Sequence, residues 1–273
     1  VTLTYHKHDN KLRCHYCEYQ RDMFISCPNC NGHNLKFVGS GTQKIEEQIN
    51  SIFNGAKVIR YDVDTTKQKD GHQKLLEKFE RKEANILLGT QMIAKGLDFE
   101  NVTFVGVLNA DISLNIPDFR ANERTFQLLE QVSGRSGRGK KEGMVMIQTY
   151  NPNHFVLQCV KDHDYLRFFN EEMEFRKLAK YPPYVHLVSI LIQGKDEDMV
   201  SKCTIQIKTY FQKQLKDVLI LGPANSLIYR MHDIYRKRIL IKFTNSKTLY
   251  PVLFKLNDFY NRTGYKVNVV CDF

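Results

Sequence analysis

The sequence predicts an α/β protein in two folded parts, a doubly wound parallel sheet followed by a smaller βαββαβ unit. Between residues 56 and 150, short apolar runs alternate with amphipathic helical stretches, as parallel strands with crossover helices require. YPPY at residues 181–184 then breaks the pattern, because Pro182 and Pro183 stop any helix. Beyond it come strand, helix, strand, strand, helix and strand, a ferredoxin-like order.

A chain of 273 residues with 42% hydrophobic content can bury two cores. No run approaches the ~18 apolar residues of a membrane span, and the N-terminus lacks a signal-peptide plan. The expectation is a soluble, cytoplasmic protein with no membrane partner. The formal charge of +10 favours polyanionic partners without choosing DNA over RNA. Four of the seven cysteines fall in two CxxC pairs, which is metal usage in a reducing compartment rather than a disulfide framework. The chain opens on valine and is expected to begin inside a domain.

In chain order, Cys14, Cys17, Cys27 and Cys30 form CHYC and CPNC with nine residues between the pairs. Each pair can place two thiolates on one metal, and four thiolates make a closed structural zinc site. His6, His8, His15 and His33 read as solvated neighbours. LKFVGSGTQKIEEQINSIF reads as a short strand, a glycine turn and a helix, with Ile45, Ile49, Ile52 and Phe53 on one buried stripe. Thr42 is the expected N-cap, and Lys44, Glu46 and Glu47 lie opposite the stripe. A phosphate contact at this helix start and a purely structural turn are both open.

AKVIRYDVD, NILLGTQ, VTFVGVLNAD and MVMIQTY read as strands and HQKLLEKFE as a helix. Ligands of such sheets sit at the carboxyl ends of strands. The candidates there are Asp62, Asp64 and Thr65, then Thr90 and Gln91, then Asn109 and Asp111, although strand-end polar residues also cap helices. A helical run from Phe119 to Glu130 leads into QVSGRSGRG, residues 131–139, which sets Arg135 and Arg138 among three glycines. Glycine permits close backbone approach and arginine offers a permanently charged planar fork, so the stretch is built for anions. The overlapping GRSGRGKK is no phosphate-cradling loop, because Lys141 stands where a magnesium-binding hydroxyl is needed.

Residues 152–184 read as a helical connector. In the last part, Arg230, Arg236, Lys237, Arg238 and Lys242 face one acid, Asp233, and are interleaved with Tyr229 and Tyr235. Basic residues with aromatics suit single-stranded or branched nucleic acid. Strand edges guarded by lysine and arginine give the same pattern.

ILLGTQMIAKGLDFENVTFVGVLNAD resembles helicase motif V, and the spacing QxxGRxGR resembles the last motif of superfamily 2 helicases. With the CxxC pairs, GSGTQKIEE, RYDVDT, PDFRANERTFQLLEQ and IQTYNPNH, the chain resembles the replication-restart DNA helicases over essentially its whole length. That resemblance implies an ATP-dependent 3′ to 5′ DNA helicase that restarts stalled forks and helps assemble the primosome. It implies a partial zinc module at 1–37, the second RecA-like lobe at 38–151, a connector at 152–184 and a DNA-binding domain at 185–273. Thr90 and Gln91 would lie at the nucleic-acid backbone, with Thr42 as a further candidate contact. Gly96 and Asp98 would lie near the ribose, and Gln131, Arg135 and Arg138 at the γ-phosphate. Arg230, Arg236, Lys237 and Arg238 would meet forked or single-stranded DNA. The implied cofactors are zinc, ATP and magnesium, and the implied partners are DNA with primosome and replication-restart proteins.

The departures carry expectations of their own. No GKT or DEAH sequence occurs, and DEDM at residues 196–199 is no substitute, so magnesium is expected to be held mainly by a first lobe outside this chain. The family's four CxxC pairs bind two zincs with interleaved pairing, so Cys14 and Cys17 would share one metal with an absent pair and Cys27 and Cys30 another. A second-lobe strand that precedes the zinc module in the family is expected to be missing. The chain alone is expected to be inactive. The rival reading is a non-catalytic zinc-ribbon nucleic-acid-binding module that retains a helicase-like lobe.

Overall fold

The computed structural model describes residues 4–6, 11–13, 19–27, 29–33, 42–62, 65–66, 71–91, 93, 99, 101–134, 143–262 and 267–272. Its internal contacts divide the chain into two compact units. One comprises Val1–Ile25, Asn115–Ala121 and Leu166–Phe273, the other Ser26–Leu114 and Asn122–Tyr165. Among the described residues no helix is long and apolar enough to cross a membrane.

The first elements are three short strands, β1 (Thr4–His6), β2 (Lys11–Arg13) and β3 (Gln20–Asp22), paired antiparallel in that order. The sequence reading had no strands here, because three-residue strands are too short to show a period. Helix α1 (Thr42–Ile52), β4 (Val58–Tyr61), α2 (Gly71–Glu80) and β5 (Ile86–Gly89) follow. Next come β6 (Phe104–Val107), α3 (Asp111–Leu114), α4 (Ala121–Ser133), β7 (Met144–Ile147) and α5 (Phe155–Asp162). β4 pairs parallel with β5 and β6 parallel with β7.

The α/β class and the parallel strands therefore hold, but among the described residues they form two separate pairs instead of one continuous sheet. Phe104, Gly106, Met144 and Met146 occupy one exposed face of β6 and β7, while Val105, Val107, Val145 and Ile147 on the other are half-buried. The expected stripe on α1 also needs correction. Ile45 and Ile49 are half-buried, whereas Ile52 and Phe53 are 69% and 58% exposed. Glu46 is not a free surface acid either, since it lies 3.1 Å from Arg60 Nη1.

Helix α6 (Tyr165–Leu178) leads to the two prolines. Beyond them lie β8 (His186–Gly194), α7 (Glu197–Gln214), β9 (Leu219–Met231), β10 (Ile234–Phe243), α8 (Ser246–Arg262) and β11 (Val267–Asp272). This is the βαββαβ order read from the sequence. The sheet is antiparallel in the order β11, β8, β10, β9. Alternation sends Val188, Ile190, Ile192, Ile239, Ile241, Val267 and Val269 to one face, where they pack with Val200, Ile207, Phe211, Leu249 and Leu256 of the two helices. Burying each such side chain is worth about 1.5 to 3 kcal/mol. Asp196 caps α7 by accepting from Met199 N at 3.0 Å. Gly222 adopts φ +98°, and a Cβ there would come 2.9 Å from Arg238 O, so the irregularity between β9 and β10 requires glycine.

Candidate functional site

The carboxyl ends of β4 and β5 lie side by side because the two strands are parallel, Tyr61 opposite Gly89. Asp62, only 6% exposed, is the hub of the first end. Its carboxylate accepts from Thr42 Oγ1 at 2.5 Å and Thr65 N at 3.0 Å, and lies 3.0 Å from Arg60 Nε. Thr66 Oγ1 donates to its carbonyl at 2.6 Å. The Thr42 hydroxyl above all, then Thr65 and Arg60, hold this carboxyl below its ordinary pKa against the opposing effect of burial. Asp62 thus ties the start of α1 to the end of β4, and the Thr42 hydroxyl spends its proton on that tie.

Thr90 and Gln91 are exposed at the end of β5. A Cβ on Gly89 would collide with Tyr61 O and the Ile93 side chain, so glycine lets the strand that presents Thr90 lie close to its neighbour. Gln91 Nε2 reaches Ser113 Oγ at 3.4 Å, and Asp111 accepts from Thr149 Oγ1 at 3.0 Å and Tyr150 N at 2.9 Å. Asn109 stands at φ 55° in the turn before α3. Gln91 thus meets α3 through Ser113, and Asp111 ties the start of α3 to the segment after β7. The sequence reading passed over Gly89 and His154. His154 caps α5, its Nδ1 accepting from Val156 N at 3.3 Å. Burial lowers its pKa against the opposing charge of Asp111.

Gln131 is exposed in the last turn of α4, beside Glu130, which lies 3.1 Å from His163 Nδ1. Arg135, Arg138, Gly96, Asp98, Asp64, Cys14 and Cys17 lie outside the described residues, as does the strand expected near residue 36. Cys27 and Cys30 sit on a tight turn, with Asn31 N donating to Cys27 O and Cys27 N to Gly32 O, both at 2.8 Å. The N–H groups of Asn29 and Cys30 and a hydrogen bond from the Cys30 thiol lower the pKa of Cys27. Two converging sulfurs with backbone N–H groups turned toward one of them fit a chelating half-site for zinc.

On β10, Arg236 and Arg238 alternate onto the face away from the helices, opposite Gln193 and Leu191 of β8. The buried Nε of Arg236 has no hydrogen-bond partner among the described residues. Lys237 points to the opposite, helix-covered face, level with Ile192. Arg230 stands apart at the hairpin tip, 2.6 Å from Asp233 Oδ1 and over the Tyr235 ring at 5.0 Å. Lys242 does not belong to a basic surface at all. It is 6% exposed, donates to Ala179 O at 2.8 Å, and burial lowers its pKa.

Three family models match the chain. Residues 1–21 match the PriA DNA helicase Cys-rich region domain, residues 15–140 the helicase conserved C-terminal domain, and residues 177–272 the primosomal protein N C-terminal domain. The chain is similar to the replication restart protein PriA of Bacillus subtilis (strain 168), with 45% identity over 263 residues, 96% of the chain and 33% of the relative. It is 46% identical over 249 residues to the protein of that name from Synechocystis sp., covering 89% of the chain and 30% of the relative. For that from Borreliella burgdorferi the values are 36% over 271 residues, 98% and 39%. The chain thus spans about a third of the length of the curated relatives it matches.

Proposed function

Because this chain belongs to the replication restart protein PriA family, we propose that it supplies the second lobe and the DNA-binding domain of an ATP-dependent 3′ to 5′ DNA helicase that restarts stalled forks and helps assemble the primosome. The observation that carries this is the unbroken order of a cysteine-rich region, a helicase domain and a primosomal C-terminal domain along one chain. We assign residues 1–37 to the zinc module, 38–151 to the RecA-like lobe, 152–184 to the connector and 185–273 to the DNA-binding domain.

Bound ATP with magnesium supplies the phosphoryl group whose transfer to water drives movement along DNA. Gln131, Arg135 and Arg138 form a donor set of one amide and two guanidinium forks, which suits the γ-phosphate. Their work is electrostatic, because donors brought in from a second lobe stabilise charge that develops only as the phosphoryl group transfers. Gly96 and Asp98 hold the ribose. Thr90 and Gln91, at the carboxyl edge of the parallel strands, bind the DNA backbone with Thr42, whose position Asp62 sets. Arg236 and Arg238, on the face of β10 away from the helices, give the C-terminal sheet a cationic face for phosphate oxygens. Cys27 and Cys30 hold one half of a structural zinc site, and Cys14 and Cys17 half of another.

The test is Arg138→Ala in the full-length protein. Turnover is expected to fall by about 10³ to 10⁵, as for other arginine fingers, with the Kd for forked DNA nearly unchanged. A variant that lost only DNA affinity and kept its maximal turnover would reduce the glycine-arginine stretch to a basic loop and refute the assignment.

A further inference from the structure

The β9–β10 hairpin, within one compact unit, carries a feature that sheet pairing alone does not explain. Tyr235 pairs with Arg230 and Lys237 with Asn225, so residues 226–229 stand against Arg236 alone, a bulge in an edge strand of the sheet. On that bulge Leu227 and Ile228 are 49% and 55% exposed, and Met231 just beyond it is 38% exposed. Their support is braced. The turn takes the tight hairpin form, with His232 at φ 50° and Asp233 at φ 60°. Arg230 lies 2.6 Å from Asp233 Oδ1 and 5.0 Å from the Tyr235 centroid. The Tyr229 ring meets Tyr235 edge-on at 5.6 Å, and its hydroxyl donates to Glu197 at the start of α7. An apolar tip held in this way loses little freedom when a partner covers it.

A bulge on a sheet edge blocks pairing with a foreign strand, and charged residues or proline usually complete that protection. Leu227 and Ile228 do not serve that purpose, and the broken register offers no regular ladder to an added strand. The neighbouring side chains point to another partner. Ile234 alternates with Arg236 and Arg238 on the face of β10 away from the helices, and Met231 is the cross-strand partner of Ile234. The next row across that face is Arg236, Gln193 and Asn268, all hydrogen-bond donors and none of them acidic. Of the acids that meet the hairpin, Asp233 is engaged by Arg230 and Glu197 by Tyr229. An apolar end that runs into a cationic, donor-rich face complements branched DNA, which offers phosphates along its strands and a bare base face where stacking ends.

We propose that Leu227, Ile228 and Met231 make the C-terminal domain selective for branch points, lying against the last base pair where duplex meets single strand while Arg236 and Arg238 hold the adjoining phosphates. The inference rests on the DNA-binding reading above. Leucine, isoleucine and methionine are the kind of side chain that wedges against bases, and at a branch point the base face is already open, so no further unstacking is needed.

The test measures the affinity of this chain for a DNA fork carrying 2-aminopurine at the branch point and for a single strand of the same sequence. Leu227→Ser, Ile228→Ser and Met231→Ser are combined in one variant, and circular dichroism checks its fold. Its Kd for the fork should rise about tenfold, what burial of one such side chain is worth, while its Kd for the single strand stays at the wild-type value. The 2-aminopurine fluorescence should change when the wild-type chain binds and stay at the free-fork value with saturating variant. Met231→Leu keeps an apolar side chain and should keep fork affinity. Wild-type fork affinity in the folded serine variant overturns the proposal, as does an equal loss on both DNAs. Self-association of the wild-type chain that the variant lacks would assign the patch to a second copy and overturn it too. If the combined variant does not fold, Ile228→Ser alone carries the decision, and failure of both to fold would make the patch a structural element and refute the idea. Arg236→Ala separates the two readings. Weakened binding of both DNAs by Arg236→Ala beside an unchanged serine variant would sink the branch-point contact alone, whereas unchanged binding in Arg236→Ala would overturn the DNA-binding face and the contact with it.

Discussion

His154 stands where a motif residue and a helix cap coincide. Its neutral Nδ1 accepts from Val156 N, and that acceptor disappears when the ring is protonated. The folded-state pKa lies below the ordinary imidazole value of 6.5, so near and below that pH the unfolded chain binds more protons than the folded one. Stability from this group is therefore complete above pH 6.5 and is lost as pH falls through 6.5 toward the folded value. His154→Ala should cost about 1 kcal/mol at neutral pH, the usual worth of a cap. His154→Asn should keep the cap and flatten the acid limb. Denaturant unfolding at pH 5.5 and 7.5 checks both, and an unchanged pH dependence in His154→Asn would remove His154 from the account.

Among elements, β10 shows how a strand sorts its charges. Residues 236 and 238 share one face, residue 237 the other, and residue 242 is buried at the far end of the first face. Arg236→Ala in this chain should weaken single-stranded DNA binding and reduce the slope of log K against log salt by about one unit. Lys237→Ala, which the sequence grouped with it, should change both much less. Fluorescence titrations over a range of salt concentrations decide this, and equal effects would show that the face is not the determinant. The Cys27 and Cys30 turn makes a second prediction. If it is half of an interleaved site, the chain should retain less than one zinc after gel filtration with a chelator. One tightly held zinc per chain would instead establish a self-sufficient four-cysteine knuckle.

For the whole molecule the central quantity is how much of a composite site one chain can provide. Arginine forks without a phosphate-cradling lysine hold no nucleotide productively, because catalysis of phosphoryl transfer is almost entirely positioning and charge stabilisation. Phosphate release by this chain with single-stranded DNA should not exceed the uncatalysed background. Turnover comparable to a complete helicase would show that the assignment of half a site is wrong.

The sequence by itself determined the order of elements in the C-terminal part, strand, helix, strand, strand, helix and strand. The C-terminal elements follow the order read from the sequence, because alternation and helical period both record burial against a core of fixed geometry. The arginines among glycines and the paired cysteines stand out in the sequence by residue type and spacing. Tertiary structure alone decided which charges are available. Lys242 looks like any other lysine of a basic strand, yet strand pairing and the Ala179 carbonyl bury it. Asp62 looks like a strand-end ligand, yet Thr42, twenty residues away, turns it into a brace. Local sequence encodes how a residue would face a core, whereas the partner it meets there comes from chain far away in sequence.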